Sequence, residues 1–177
     1  MGALSDNSQV ILMDADRIQR SIRRMAYNLA EEYHGSHLLL IGINTRGDAL
    51  ASRLHDVLNP ILPHGCKHAQ IVIEGDKIRT SADTDGYDGK AVIIVDDVIF
   101  SGRTMQQAVA HIIRNGKPDV VRCVALVDRG HRKFPVEPQF NGLTCPTKLK
   151  EHVHVDLIPE ADIDQVVLYQ NDEFTPA

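Results

Sequence analysis

Apolar residues follow two periods along this chain. Nearly unbroken apolar runs occur at 37–43, 91–95 and 120–127, the pattern of strands buried on both faces in a parallel sheet, and Lys67 to Ile73 predicts a further strand. Gln9 to Leu12 predicts a short strand ahead of them. His152 to Asp156 alternates and Val166 to Tyr169 runs apolar, which predicts small terminal strands beside the main sheet. Helical spacing fills the intervals. Ile18, Ile22, Met25 and Leu29 form one stripe of a helix over Ala15–Tyr33, with Asp14 as its N-cap and Gly35 at its end. Asp48 to Leu58 predicts a second helix. Met105, Ala108, Val109, Ile112 and Ile113 predict a third over Thr104–Arg114, halted by Asn115-Gly116 and Pro118. Alternating strands and helices imply an α/β fold, a doubly wound parallel sheet with right-handed crossovers and ligands at the carboxyl ends of its strands.

The chemistry sits where these runs stop. Ala91 to Val95 gives way to Asp96 and Asp97. In a continuing strand these two would point to opposite faces, so two acids serving one ligand require the chain to have turned out of the sheet. Ser101-Gly102-Arg103-Thr104 then feeds a helix N-terminus, whose amides attract an anion such as a phosphate. After the 37–43 run comes Asn44-Thr45-Arg46-Gly47, a second anion loop in which Arg46 offers a planar fork. A third loop, Asp128-Arg129-Gly130-His131-Arg132-Lys133, begins where the 120–127 run ends. Between them, Glu74 to Lys90 has no period and reads as a mobile loop near the central site, either a lid or an ordinary connection.

With 177 residues, 43% of them apolar, the chain suits one globular domain over 1–177, with 1–8 as a loose end. A net charge of −5 supplies no global attraction for nucleic acid, so an anion site must be built locally. Arg17, Arg20, Arg23 and Arg24 crowd the first helix, but Glu31 and Glu32 follow, and RNA binding is not favoured. Three cysteines without a C-x-x-C suit reduced thiols in a cytoplasm. The His64-Gly65-Cys66-Lys67-His68 run reads as a solvated loop rather than a metal site. Neither a signal peptide nor a membrane span is expected.

The run from Ala91 to Thr104 resembles the 5-phosphoribosyl diphosphate (PRPP) motif of the type I phosphoribosyltransferases: an apolar strand, two acids, a short spell, then Ser/Thr-Gly-x-Thr. With Ile-Gly-Ile-Asn-Thr-Arg-Gly at 41–47 and Leu-Val-Asp-Arg-Gly-His-Arg at 126–132, roughly residues 9–169 are similar to the branch of bifunctional pyrimidine operon attenuation regulators and uracil phosphoribosyltransferases. The resemblance implies a small hood of terminal strands beside the sheet. It also implies that Asp96 and Asp97 bind ribose and that Ile99, Phe100, Ser101, Gly102, Arg103 and Thr104 hold the 5'-phosphate. Asn44, Thr45, Arg46 and Gly47 would hold pyrophosphate, and Asp128, Arg129, Gly130, His131 and Arg132 would border the base. Mg²⁺ would arrive on PRPP, with no dedicated protein ligand set, and the chain would form a homodimer or higher homo-oligomer. The activity implied is transfer of phosphoribosyl from PRPP to a nucleobase, with uracil expected. The alternatives are a purine base (hypoxanthine or guanine) and a non-catalytic PRPP or nucleotide sensor acting on RNA. The family's Leu-Tyr-Arg-Asp-Asp segment and long arm are replaced by Glu74-Gly75-Asp76-Lys77-Ile78-Arg79 and a shorter stretch.

Overall fold

A computed structural model describes residues 9–81, 86–148, 150–157 and 163–170; the expected loose end at 1–8 lies outside them. In chain order the elements are β1 (Gln9–Met13), α1 (Ala15–Glu32), β2 (Leu38–Ile43), α2 (Asn44–Leu58), β3 (Cys66–Glu74), β4 (Lys77–Thr80), β5 (Ala91–Ile99), α3 (Arg103–Arg114), β6 (Val120–Asp128), β7 (Phe140–Thr144), β8 (His152–Asp156) and β9 (Gln165–Tyr169). The main sheet has the order β4-β3-β2-β5-β6-β7. Its strands run parallel except β4, which is antiparallel to β3. A separate antiparallel sheet, β1-β9-β8, forms the hood.

Apolar side chains on both faces of the strands make two cores. Leu38, Leu40, Ile93, Val95, Val124 and Leu126 pack with α1 and α2, whereas Leu39, Ile41, Val92, Ile94 and Ala125 pack with α3. Every residue of β2 is buried, as a central strand covered by helices on both sides should be. Asp14 caps α1, its carboxylate accepting from the Arg17 amide at 2.8 Å, a cap worth about 1 kcal/mol. Arg17 in turn donates to Leu12 O at 2.8 Å, and Arg24 donates to Asn141 O at 2.8 Å. Two of the four α1 arginines therefore dock the helix onto β1 and β7.

Three expectations are corrected, and one strand was not anticipated. The central strand does not end at the acids: β5 continues to Ile99, still in register with β6 (Asp96 opposite Ala125, Ile99 opposite Asp128). Its side-chain alternation slips instead. Val98 packs on the α1/α2 side and Ile99 on the α3 side, the reverse of the phase set by residues 91–95. Residues 74–81 are not a mobile loop. A two-residue turn at Gly75-Asp76 pairs Glu74 with Lys77, and Gly75 takes φ +60, the positive value that such a hairpin favours at its first turn position. Residues 82–85 of the supposed lid lie outside the described residues. β7 is a strand that no hydrophobic pattern announces; it exists because Gly142 lets it approach β6, where an added Cβ would stand 2.7 Å from Leu126 O. Finally, α2 begins at Asn44 rather than Asp48.

Candidate active site

β2 and β5 are neighbours, yet the chain leaves β2 toward β3 on one side and β5 toward β6 on the other. That is a topological switch point, and a crevice opens at the carboxyl ends of the two strands. Asn44 enters α2 with φ +51. Its side-chain oxygen accepts from the Ile73 amide at 2.9 Å, and its carbonyl accepts from Gln70 Nε2 at 3.2 Å. The segment read as an open anion loop is thus the first helical turn, tied to β3. Thr45 is exposed, Arg46 half-buried and Gly47 buried. A Cβ on Gly47 would stand 2.6 Å from Val95 O and 3.2 Å from Asp96 Cα, so this turn rests directly on β5 where the acids begin. α2 has no capping side chain and no acid in its first turn, which leaves its N-terminal amides to receive an anion.

Asp96 and Asp97 are half-buried, and Asp96 Oδ1 accepts from the Asp97 amide at 3.0 Å. Burial, then the charge of Asp97, pushes Asp96 well above the usual carboxylate range. Burial also raises Asp97, an effect opposed by its hydrogen bond with Asp96 and by the Arg46 guanidinium. Two crowded acids of this kind favour a ligand that brings hydroxyl donors or positive charge.

α3 starts in the same crevice. Gly102, its N-cap, takes φ +82 and carries no capping side chain, and the first turn holds no acid. A cleft of about 110 Å³ runs from Asp96 past Val98, Phe100 and Ser101 to Thr104. The third loop lies across it. The Arg129 amide donates to Ile99 O at 2.9 Å, and the Lys133 amide donates to Ser101 O at 2.9 Å. Arg132 donates to Phe100 O at 2.8 Å and to Asp128 Oδ1 at 2.7 Å. Arg129 is buried, its guanidinium 4.4 Å from the Phe100 ring centroid, and it bonds Thr147 Oγ1 at 2.9 Å. His131 Nε2 lies 2.6 Å from Thr147 O. Asp128, Arg129, His131 and Arg132 therefore spend much of their bonding capacity on the protein, and Arg103 lies over the Phe134 ring at 5.3 Å.

All three loops expected from sequence meet in this crevice. Thr147, Glu151, Val136 and Gln70 also build it, and sequence reasoning missed their roles because no period marks them. Among the described residues no group of three or more His, Cys, Asp or Glu is placed to hold a metal ion. His64 pairs instead with the His37 ring, centroids 5.2 Å apart, and His68 with Asp48 at 2.9 Å. A larger cleft of about 590 Å³, lined by Arg23, Arg53, Asp56 and Asp164, lies away from the acids and both anion-receptive turns. No helix among the described residues is long and apolar enough to cross a membrane.

Comparison with known proteins bears on the family and the fold. Residues 9–157 match the phosphoribosyl transferase domain. Proteins named bifunctional protein PyrR are similar over most of their length. That of Brevibacillus brevis is 35% identical, the match covering 89% of this chain and 94% of the relative. That of Streptomyces coelicolor is 37% identical, covering 89% and 88%, and that of Staphylococcus aureus is 38% identical, covering 85% and 93%. Among solved structures, the hypoxanthine phosphoribosyltransferase of Trypanosoma cruzi superposes with a TM-score of 0.72 at 18% identity, over 89% of this chain and 94% of that one. A hypoxanthine-guanine phosphoribosyltransferase from Bacillus anthracis gives 0.67 at 21% identity, over 78% and 83%; these two likenesses concern the fold. The chain belongs to the phosphoribosyltransferase domain family, alongside the bifunctional PyrR proteins.

Proposed function

We propose that the protein transfers the 5-phosphoribosyl group of PRPP to uracil, releasing UMP and pyrophosphate. The observation that carries this reading is the seating of Gly47 on Val95 and Asp96, which brings one anion-receptive helix start onto a carboxylate pair that leads within a few residues to a second. A molecule with a diphosphate, a vicinal diol and a phosphate fits that sequence of groups. The ribose hydroxyls donate to Asp96 and Asp97, the 101–104 amides hold the 5'-phosphate, and the 44–47 turn with Arg46 holds the diphosphate.

Uracil N1 forms a bond to ribose C1 as the C1–O bond to pyrophosphate breaks and the N1 proton passes to solvent. Asp96 and Asp97 favour the positive ribosyl group that develops, and Arg46 with the α2 amides favours the departing negative charge. Mg²⁺ carried in by PRPP would supply further neutralisation of the leaving group. Asp96 and Asp97 would lie near such an ion, whose oxygen ligands would come from PRPP and water. Uracil as acceptor rests on the likeness of residues 128–132 to the branch of bifunctional pyrimidine operon attenuation regulators and uracil phosphoribosyltransferases. Pyrophosphate release from PRPP and Mg²⁺ across a panel of bases tests the reading. Uracil is expected to be preferred; hypoxanthine or guanine in its place refutes the base, and release with no base refutes the enzyme. A second reading, regulation of pyrimidine genes through RNA, is favoured only by the relatives' being called bifunctional.

A further inference from the structure

Three polar or charged residues are buried among those described, and two of them, Arg129 at 8% exposure and Thr147 at 4%, are bonded to each other. Arg129 has no carboxylate within ion-pair reach among the described residues. Its guanidinium is held by the Thr147 hydroxyl at 2.9 Å, by Glu151 O at 2.5 Å and by the face of Phe100. A buried cation whose nearest acid, Glu151, acts on it only from beyond ion-pair distance leans on each neutral acceptor it has. The same threonine takes a second bond from the loop, from His131 Nε2 to Thr147 O. His131 has φ +57, a left-handed backbone that a non-glycine residue keeps only where surroundings impose it. Lys148 and Glu151 are bonded to each other beneath, the Lys148 amide donating to Glu151 Oε2 at 2.7 Å and the Glu151 amide to Lys148 O at 3.1 Å.

We propose that Thr147, held between Arg129 and His131, is a positioning residue that sets the nucleobase end of the site by fixing the 129–131 loop against Thr147 and Glu151. This deepens the uracil reading and rests on it, because it takes the 128–132 loop as the border of the base. Thr147 acts through the loop and touches neither PRPP nor the reacting atoms. Its loss shifts the Arg129 and His131 side chains, while the backbone bonds of Arg129 to Ile99 and of Lys133 to Ser101 remain to hold the 101–104 turn.

The experiment compares wild type, Thr147→Val and Thr147→Ser in steady-state kinetics and in calorimetric titration with UMP and, separately, PRPP. Thr147→Val keeps the shape and removes the acceptor of Arg129; it is expected to raise KM for uracil and Kd for UMP about tenfold, the scale of an unpaired buried donor, with PRPP constants within about twofold. Thr147→Ser keeps the hydroxyl and is expected to restore wild-type values. Equal losses for UMP and PRPP, or unchanged uracil and UMP constants in Thr147→Val, overturn the proposal. If Thr147→Val does not fold, a serine variant with weakened UMP and unchanged PRPP binding also overturns it, since the hydroxyl is then not what matters. Wild type that prefers another base refutes the uracil reading alone, because the same comparison is then made with that base and its nucleotide.

Discussion

Asp96 is where burial and chemistry conflict most openly. Its folded-state pKa lies above its unfolded value, near 3.9. Its favourable contribution to stability is therefore fully present below that value and lost as pH rises through the folded-state pKa. Above the folded-state pKa the ligand-free protein carries an unfavourable charge there. Asp96→Asn is expected to raise the melting temperature of ligand-free protein at pH 8 by about 2–4 °C, the shift that about 1 kcal/mol gives in a chain of this size. With Asp97→Asn added, PRPP binding measured by calorimetry should vanish in a folded protein. A lower melting temperature for the single variant contradicts the electrostatic account, and retained PRPP affinity in the double variant contradicts the ribose assignment. Arg46, whose charge opposes the upward shift of Asp97, is a different case. Arg46→Ala should cut kcat by about 10²–10³, the usual cost of one transition-state charge stabiliser, while UMP affinity hardly changes. Equal loss for UMP would move Arg46 away from the leaving group.

At the level of elements, the site depends on how closely the first turn of α2 approaches β5. Gly47→Ala places a Cβ 2.6 Å from Val95 O, a backbone atom that cannot swing aside, and overpacking of this kind costs about 1–3 kcal/mol. The variant should melt lower and bind PRPP weakly. Gly75→Ala is the matched control: nothing lies within 4 Å of the new Cβ, and the strain comes from φ +60 alone. It should cost about 1–2 kcal/mol with PRPP affinity unchanged. Melting curves and PRPP titrations of both variants separate the two causes. Equal effects on PRPP binding would mean that the α2 turn does not shape the site. The contrast also shows what the residue patterns conveyed. β2, β5 and β6 were legible as strands because both faces are apolar, and α1 and α3 because their stripes are regular. β4 and β7 were not, since a four-residue edge hairpin and a strand containing Asn141-Gly142 are held by pairing with β3 and β6.

On the scale of the whole molecule, the α1 arginines show why a charge cluster is ambiguous until the chain is folded. All four are exposed, but Arg17 and Arg24 also bond Leu12 O and Asn141 O, which leaves Arg20 and Arg23 as the pair most open to phosphate. Two single-stranded contacts at about 0.7 log units each would give a salt slope near −1.4, and the net charge of −5 opposes even that. Gel shifts with a pyrimidine leader RNA should show no sub-micromolar complex; a tight, salt-sensitive complex abolished by Arg20→Glu with Arg23→Glu would overturn this. The sequence by itself determined the α/β class, the places where strands yield to anion-receptive turns, and the acids and glycines at those places. These are local properties, written in apolar period and in the conformational needs of single residues. Only the tertiary structure decided that β5 slips its phase at the acids rather than leaving the sheet, that Asn44 is bonded to β3, and that Arg129 and His131 turn toward Thr147. Each of those depends on a partner 16 or more positions away or on register across the sheet, and the spacing of residues along one chain does not encode such pairings.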